Sequence, residues 1–303
     1  MQPAVDTPAP VILRTEAIAL RIHPYSRTSH VVTWLSPAYG RVVTVIKGAC
    51  RPKSAFLGQY DLAASCELLF YRRDHDGLHA IRECTALRRR DELRADWRRV
   101  TTASYLCDLV ARVAQPGQDA TNVHALLAAT LDDLCVRAPD AAAVLRFELA
   151  LLRHLGFLPQ LALCPTCHAQ PRSWLRFAPG SGRAVCSHAP AAAGEATVSL
   201  QREVVAYLQR LASNGAPNPD GAPPPSAEPM PRSIRRPRSG TPYPPSAPPG
   251  ASDDAPQVSL GARRFLGIFM GFHLETPATP RRLAFELLET APAGPGGAKG
   301  RSA

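Results

Sequence analysis

Gly40-Arg-Val-Val-Thr-Val-Ile-Lys-Gly-Ala-Cys-Arg-Pro-Lys-Ser54 reads as a short β run followed by a glycine–proline loop, and the loop carries Lys47, Arg51 and Lys53. Working outward, no Asp or Glu occurs between Ala17 and Tyr60, while Arg21, Arg27 and Arg41 join the three loop cations. A small β-domain with an unopposed basic face suits a phosphate backbone. The chain's 303 residues, net charge of +10 and pI near 9.6 agree, but most of that charge is arginine in a sequence rich in Ala and Pro. Distribution is the better guide. Lys47 and Lys53 are two of the three lysines in the chain, and both sit in this loop, where a flexible point charge fits a phosphate.

On either side, runs with β-branched and aromatic content are separated by turn signals. Strands are expected at Val11–Arg21, His30–Leu35, Arg41–Lys47, Cys66–Arg72 and Leu78–Cys84. Five short strands in about 75 residues fit a small closed barrel, for which the OB-fold is the commonest five-stranded solution and an SH3-like barrel the alternative. From Arg88 the apolar period changes to three and four. A charged helix start at Arg88–Arg99 leads to helices at Val100–Ala114, Thr121–Arg137 and Asp140–Leu155, with Gly156 closing the last. The expected fold class is α+β, an N-terminal OB-fold barrel followed by an α-helical domain with a small zinc-ribbon-like insert.

The expected organisation is a disordered start at 1–10, the barrel at 11–87, the helical domain at 88–163 and the insert at 164–199. A helix at 200–213 follows, then a linker at 214–256, C-terminal helices of the helical domain at 257–290 and a disordered tail at 291–303. The linker reading rests on composition. Asn214 to Pro256 holds 14 of the 31 prolines and too little apolar surface to offset its ordering entropy. Its Arg232, Arg235, Arg236 and Arg238 read as solvated charge. No run of 18 apolar residues and no export signal is present, so a cytoplasmic, nucleoid-associated protein is expected. Cys50, Cys66, Cys84, Cys107 and Cys135 then read as reduced, semi-buried thiols.

Cys164-Pro-Thr-Cys167 has the spacing of a zinc half-site, since two thiolates on a tight turn can reach one ion. Cys186, after Gly180-Ser-Gly182, fits as a third ligand. Ala189 stands where a second CxxC would complete the set, so His188 is the candidate fourth ligand. The two readings are one structural Zn2+ and a site that has lost its metal. The histidines form no catalytic spacing, and no nucleotide-binding loop or nucleophile elbow appears, so no catalytic residue and no enzyme activity is assigned. For base stacking the candidates are Tyr25, Tyr39 and Phe56, which lie in or beside turns, whereas Trp34 and Phe70 are expected to fill the barrel.

Several of these segments together resemble the bacterial recombination mediator family RecO. They are Tyr25-Ser-Arg-Thr-Ser-His-Val-Val-Thr33, Tyr39 through Ser54 with its Lys-Gly-x-x-Arg-Pro-Lys-Ser core, Cys66-Glu-Leu-Leu-Phe-Tyr71, Leu93-Arg-Ala-Asp-Trp-Arg98, Phe147 to Gly156 and Cys164-Pro-Thr-Cys167. The resemblance implies an OB-fold, a helical domain and a zinc-ribbon region. It implies binding of single- and double-stranded DNA, strand annealing, and work with RecR and the single-strand-binding protein to load RecA. The matched cations are Lys47, Arg51 and Lys53. The resemblance also suggests that the acidic, hydrophobic tail of the single-strand-binding protein docks on the helical domain, where Arg112, Arg137, Arg146 and Arg153 are available. The missing fourth cysteine and the proline-rich insertion depart from the family pattern. An RNA-binding OB module and a basic scaffold without annealing activity are the rival functions.

Overall fold

The computed structural model describes residues 11–72, 78–161, 174–186, 190–214 and 256–290. Five strands close a barrel in the order β1-β2-β3-β5-β4, from β1 Ile12–Ser26, β2 Ser29–Ser36, β3 Gly40–Ile46, β4 Ser65–Tyr71 and β5 Leu78–Arg88. The expected strands all form. Closure depends on the length of β1. Its first half pairs with β4 from Ile12↔Tyr71 to Ile18↔Ser65, and its second half pairs with β2 from Ile18↔Leu35 to Ser26↔Ser29. A register shift between Ala19 and Arg21 bends the strand where it changes partner. The short parallel pairing Val43↔Leu78 to Val45↔Ala80 seals the last seam and leaves no open sheet edge.

The alternation of β1 also decides how the barrel meets the helices. Ala17 and Ala19 point into the barrel with Trp34, Leu68 and Phe70, while Ile18 and Leu20 join Leu35 in the core of the helical domain. Ala17 through Leu20 are therefore all buried, one face in each core. Trp34 and Phe70 fill the barrel, as expected, and the indole N–H of Trp34 donates to Thr44 Oγ1 at 2.9 Å.

The helical domain contains α1 Trp97–Val113, α2 Thr121–Val136, α3 Ala141–His154, α4 Arg202–Asn214, α5 Pro256–Leu274 and α6 Ala278–Glu289. Asp96 caps α1 by accepting from Arg98 N at 2.9 Å, and Asp140 caps α3 by accepting from Ala143 N at 2.6 Å. Gly156 ends α3 at φ +79°. Its N–H donates to Arg153 O and the Phe157 N–H to Leu152 O, the paired bonds of a Schellman stop.

One expectation changes here. The arginine-rich stretch from Arg88 is not the opening of a helix but a junction. Arg90, at φ +56°, is buried, donating to Ala63 O, Ser65 Oγ and Asp132 Oδ1, and it joins the barrel to α2. A 3-10 turn over Asp91–Ala95 intervenes before α1. Part of the insert is a three-stranded sheet, order β7-β6-β8, from β6 Trp174–Ala178, β7 Arg183–Val185 and β8 Val198–Gln201. Phe177 of β6 packs edge-on against Phe265 of α5 at 5.0 Å between ring centres, so this sheet belongs to the helical core.

The last two helices complete that core. Glu148 on α3 is fully buried and accepts from Arg281 Nε and NH2 at 2.8 Å each and from the Tyr105 hydroxyl at 2.6 Å. Arg281 also donates to Arg263 O at 2.8 Å. Burial beside the Glu148 carboxylate pushes the Tyr105 phenol well above its usual range. This group ties α6 to α1, α3 and α5.

Candidate nucleic-acid interface

Strand direction divides the six basic candidates. The β1–β2 turn and the end of β3 lie at one end of the barrel, and the β2–β3 turn lies at the other. At the first end, Arg27 in the turn and Lys47, Arg51 and Lys53 in the following loop are all exposed. Two hydrogen bonds hold these segments together, from Cys50 N to Thr28 O at 3.2 Å and from Gly48 N to Ser29 Oγ at 3.3 Å. Gly48 takes φ +70°, and the Arg51 side chain lies over the space a Cβ would fill, with its Cδ 3.4 Å from that point. The loop is thus folded back on itself, with its charges outward. Among the described residues, none of these four cations has a salt-bridge partner. Asp61 is engaged by Arg94 and Glu67 by Arg14.

Arg21 and Arg41 are placed differently. Arg21 donates through Nε to Asp108 Oδ1 of α1 at 2.8 Å and through NH2 to Asp108 O at 3.2 Å. Arg41 donates to Ala114 O at 3.1 Å. Beside Arg41, the β2–β3 turn is stitched to the α1–α2 loop by Arg41 N to Gln115 O, Gly117 N to Tyr39 O and Ala120 N to Pro37 O. Gly40, at φ +61°, permits this approach, since a Cβ there would lie 2.2 Å from Gln115 O. These two arginines hold the barrel on the helices, and the charge of Arg21 is offset by Asp108.

The aromatic candidates divide in the same way. Tyr25, beside the basic turn, is 62% exposed. Tyr39 packs edge-on against Phe70 at 6.2 Å, and Phe56 packs on the barrel core. Both are half-buried, whereas Tyr25 is open. The candidates left open are therefore four cations and one exposed ring at a single end of the barrel.

The same end holds a constellation that single-residue reading missed. Cys50, expected to be semi-buried, is exposed, and its Sγ lies 3.3 Å from His30 Nε2. His30 Nδ1 lies 2.8 Å from the Tyr60 hydroxyl. Burial, with smaller contributions from Cys50 and Cys84, raises the Tyr60 phenol to about 12.

On the helical domain, Arg112 pairs with Asp108, Arg137 with Asp133, and Arg153 donates to Ala212 O. Arg146 lines a shallow hollow of about 220 Å³ with Leu126 and Phe147, but Asp133 lines it too. A larger groove of about 380 Å³ runs between β6, β8 and α5. Exposed Trp174, Leu260 and Ile268 line it, with Arg264 among them. The zinc expectation falls on Cys164, Cys167 and His188, which lie outside the described residues. Cys186 is half-buried after β7, and among the described residues no three His, Cys, Asp or Glu side chains cluster as metal ligands. None of the described helices is long and apolar enough to cross a membrane.

A closed five-stranded barrel of this strand order, set on a helical domain through a shared core, defines an OB-type protein with a helical extension. Known proteins narrow this class. The family profile described as Recombination protein O N terminal matches residues 11–90, and that described as Recombination protein O C terminal matches residues 94–224. The chain is similar to the DNA repair protein RecO of Roseiflexus sp. (strain RS-1), 30% identical over 197 residues, covering 65% of this chain and 68% of that one. It is similar to the RecO of Alkaliphilus metalliredigens, 30% identical over 179 residues, 58% of this chain and 71% of that one. The RecO of Anaeromyxobacter sp. (strain K) is 29% identical over 204 residues, 67% of this chain and 80% of that one. The chain belongs to the recombination protein O family, whose setting is DNA repair and recombination. Helices α5 and α6 lie beyond the matched 94–224 span, yet they pack in the same core.

Proposed function

We propose that this protein is a DNA-binding mediator of recombinational repair, holding single and double strands without sequence preference and annealing complementary strands. One observation carries the reading. Arg27, Lys47, Arg51 and Lys53, none salt-bridged among the described residues, converge with exposed Tyr25 at the one end of the barrel not docked on the helices. Cations on two joined segments can neutralise neighbouring phosphates, and neutralisation lowers the repulsion between two approaching strands. A ring on the same face can stack with any base, which adds affinity without sequence choice. Phosphate contacts position a strand and leave its base edges open for pairing.

In the cell this activity acts with RecR and with the single-strand-binding protein, and helps load RecA. For the acidic, hydrophobic tail of the single-strand-binding protein we favour the groove lined by Trp174, Leu260, Ile268 and Arg264. It offers apolar area beside a cation, whereas the Arg146 hollow presents the Asp133 carboxylate. Arg264→Glu should abolish binding of a fluorescent tail peptide, and Arg146→Glu should leave it intact.

The test of the main reading is annealing of complementary fluorescent oligonucleotides, with and without cognate single-strand-binding protein. The Lys47→Glu, Arg51→Glu, Lys53→Glu triple variant is the comparison. Annealing by the wild type that disappears in the folded variant supports the mediator reading. Wild-type protein that neither anneals nor binds DNA in a salt-sensitive way overturns it and leaves a scaffold. A clear preference for RNA over matched DNA would make the barrel an RNA-binding module instead.

A further inference from the structure

Cys50 does not stand as an isolated thiol. Its sulfur contacts His30 Nε2 at 3.3 Å, and the other ring nitrogen of His30 is held by the Tyr60 hydroxyl at 2.8 Å. In the tautomer with Nδ1–H donating to the Tyr60 oxygen, Nε2 accepts from the Cys50 S–H. A nucleophile, a base and a group that orients the base are thereby lined up. Two further facts separate Cys50 from Cys66, Cys84, Cys107 and Cys135. Those four are buried, whereas Cys50 is exposed. Cys50 also lies between Lys47, Arg51 and Lys53, whose field attracts anionic reagents. The Cys50 backbone itself bridges the loop to the β1–β2 turn through Thr28.

We propose that Cys50 is a thiol-modification site, selective for small anionic disulfides, whose modification neutralises the basic end of the barrel and releases DNA. The inference rests on the DNA-binding reading of the same loop. In the reaction, Cys50 Sγ attacks one sulfur of the disulfide. A new S–S bond forms to Cys50, the original S–S bond breaks, and the other half leaves as a thiolate. The Cys50 proton passes to His30 Nε2 and on to solvent or to the leaving thiolate. The disulfide is the oxidant, one of its sulfurs being reduced to thiolate while the Cys50 sulfur is oxidised. The loop cations draw in the reagent and stabilise the departing anion. The half that stays brings its negative charge among Arg27, Lys47, Arg51 and Lys53, where phosphates would sit. Excess small thiol reverses the exchange.

The experiment uses the full chain and the anionic reagent dithiobis(nitrobenzoate), with cationic cystamine as the comparison. Labelling of Cys50 is located by peptide mass spectrometry, and single-strand binding is read by fluorescence anisotropy before and after. Cys50 should react with the anionic disulfide on the order of tenfold faster than with the cationic one, after correction for their rates with a free thiol. His30→Gln, folded by circular dichroism, should slow labelling by on the order of tenfold. Labelling should weaken single-strand binding by on the order of tenfold, added thiol should restore it, and Cys50→Ser should bind DNA normally but ignore the reagent. Labelling no faster than a free thiol, indifference to His30→Gln, or unchanged DNA binding by labelled protein would each overturn the proposal. If unlabelled protein binds no DNA, the proposed function itself fails, a result seen before any reagent is added.

Discussion

The division of the basic residues by strand direction makes a quantitative prediction about salt. Four cations are open at one end of the barrel, while Arg21 and Arg41 are bonded to α1 and the turn after it. If Arg27, Lys47, Arg51 and Lys53 each neutralise one phosphate of a single strand, log Kd should change with log salt with a slope of roughly 2.8 in magnitude. Raising salt from about 50 to 200 mM would then weaken binding roughly fiftyfold. Replacing Lys47, Arg51 and Lys53 together with Gln should lower the slope to roughly 0.7, and the same change in salt should cost less than about threefold. Arg21→Gln and Arg41→Gln should leave the slope unchanged and lower the melting temperature instead. Fluorescence anisotropy of a dye-labelled oligothymidylate across the salt range reads all of these. A triple variant that keeps the wild-type slope, or an Arg21→Gln variant that loses as much slope as a loop substitution, would refute this division of the cations.

Three other substitutions test separate parts of the structure. Tyr25→Ala should weaken single-strand binding by ~1–3 kcal/mol without altering the salt slope, because stacking releases no counterions; an altered slope would mean the ring acts by holding the cations. Glu148→Ala strands the mostly buried Arg281 guanidinium and should cost ~3–5 kcal/mol in urea unfolding, much of it recovered when Glu148 and Arg281 are both replaced by Leu. A cost under ~1 kcal/mol would show that α6 does not depend on this ion pair. Gly40→Ala should destabilise by more than the ~1–2 kcal/mol of a left-handed residue, because its Cβ would meet Gln115 O at 2.2 Å. Gly58→Ala, also at positive φ but with nothing within 4 Å, should cost only that conformational term, so equal losses at the two sites would refute the contact argument.

The barrel was legible in the sequence because its signals are local. Strand runs alternate with turn residues, and Gly40, Gly48 and Gly58 stand where the backbone takes positive φ. The helices were legible from apolar spacing, although the register of the junction was not. Arg90 looks like one more surface charge in a run of three arginines. Only the fold brings Ala63, Ser65 and Asp132 to it. The same holds at the interface. Nothing near Arg21 in sequence announces Asp108, 87 residues away, so the sequence alone groups Arg21 with the loop cations. Tyr39 and Phe56 sit beside turns, which suggests exposure, but both lie half-buried against the barrel core. The pairing of His30 with Cys50 crosses 20 residues and two elements, beyond any spacing rule. The sheet of β6, β7 and β8 is hidden for another reason, since its strands are only three to five residues long and carry little alternation of their own.

The bond between Arg281 and Glu148 spans 133 positions, and this sets an order of events during synthesis. All five barrel strands are complete by Arg88, so the barrel can assemble while most of the chain is still to be made. The helical core has no such freedom. Its α1, α2 and α3 emerge with the Glu148 carboxylate unpaired and with the apolar surface that α5 and α6 will cover still open to water. At ~5–20 residues per second that interval lasts several seconds or more. A nascent chain is therefore exposed longest after its nucleic-acid end has formed and before its helical half has closed. Truncation before α6 should accordingly yield a sound barrel carrying a sticky, half-built domain, prone to aggregate.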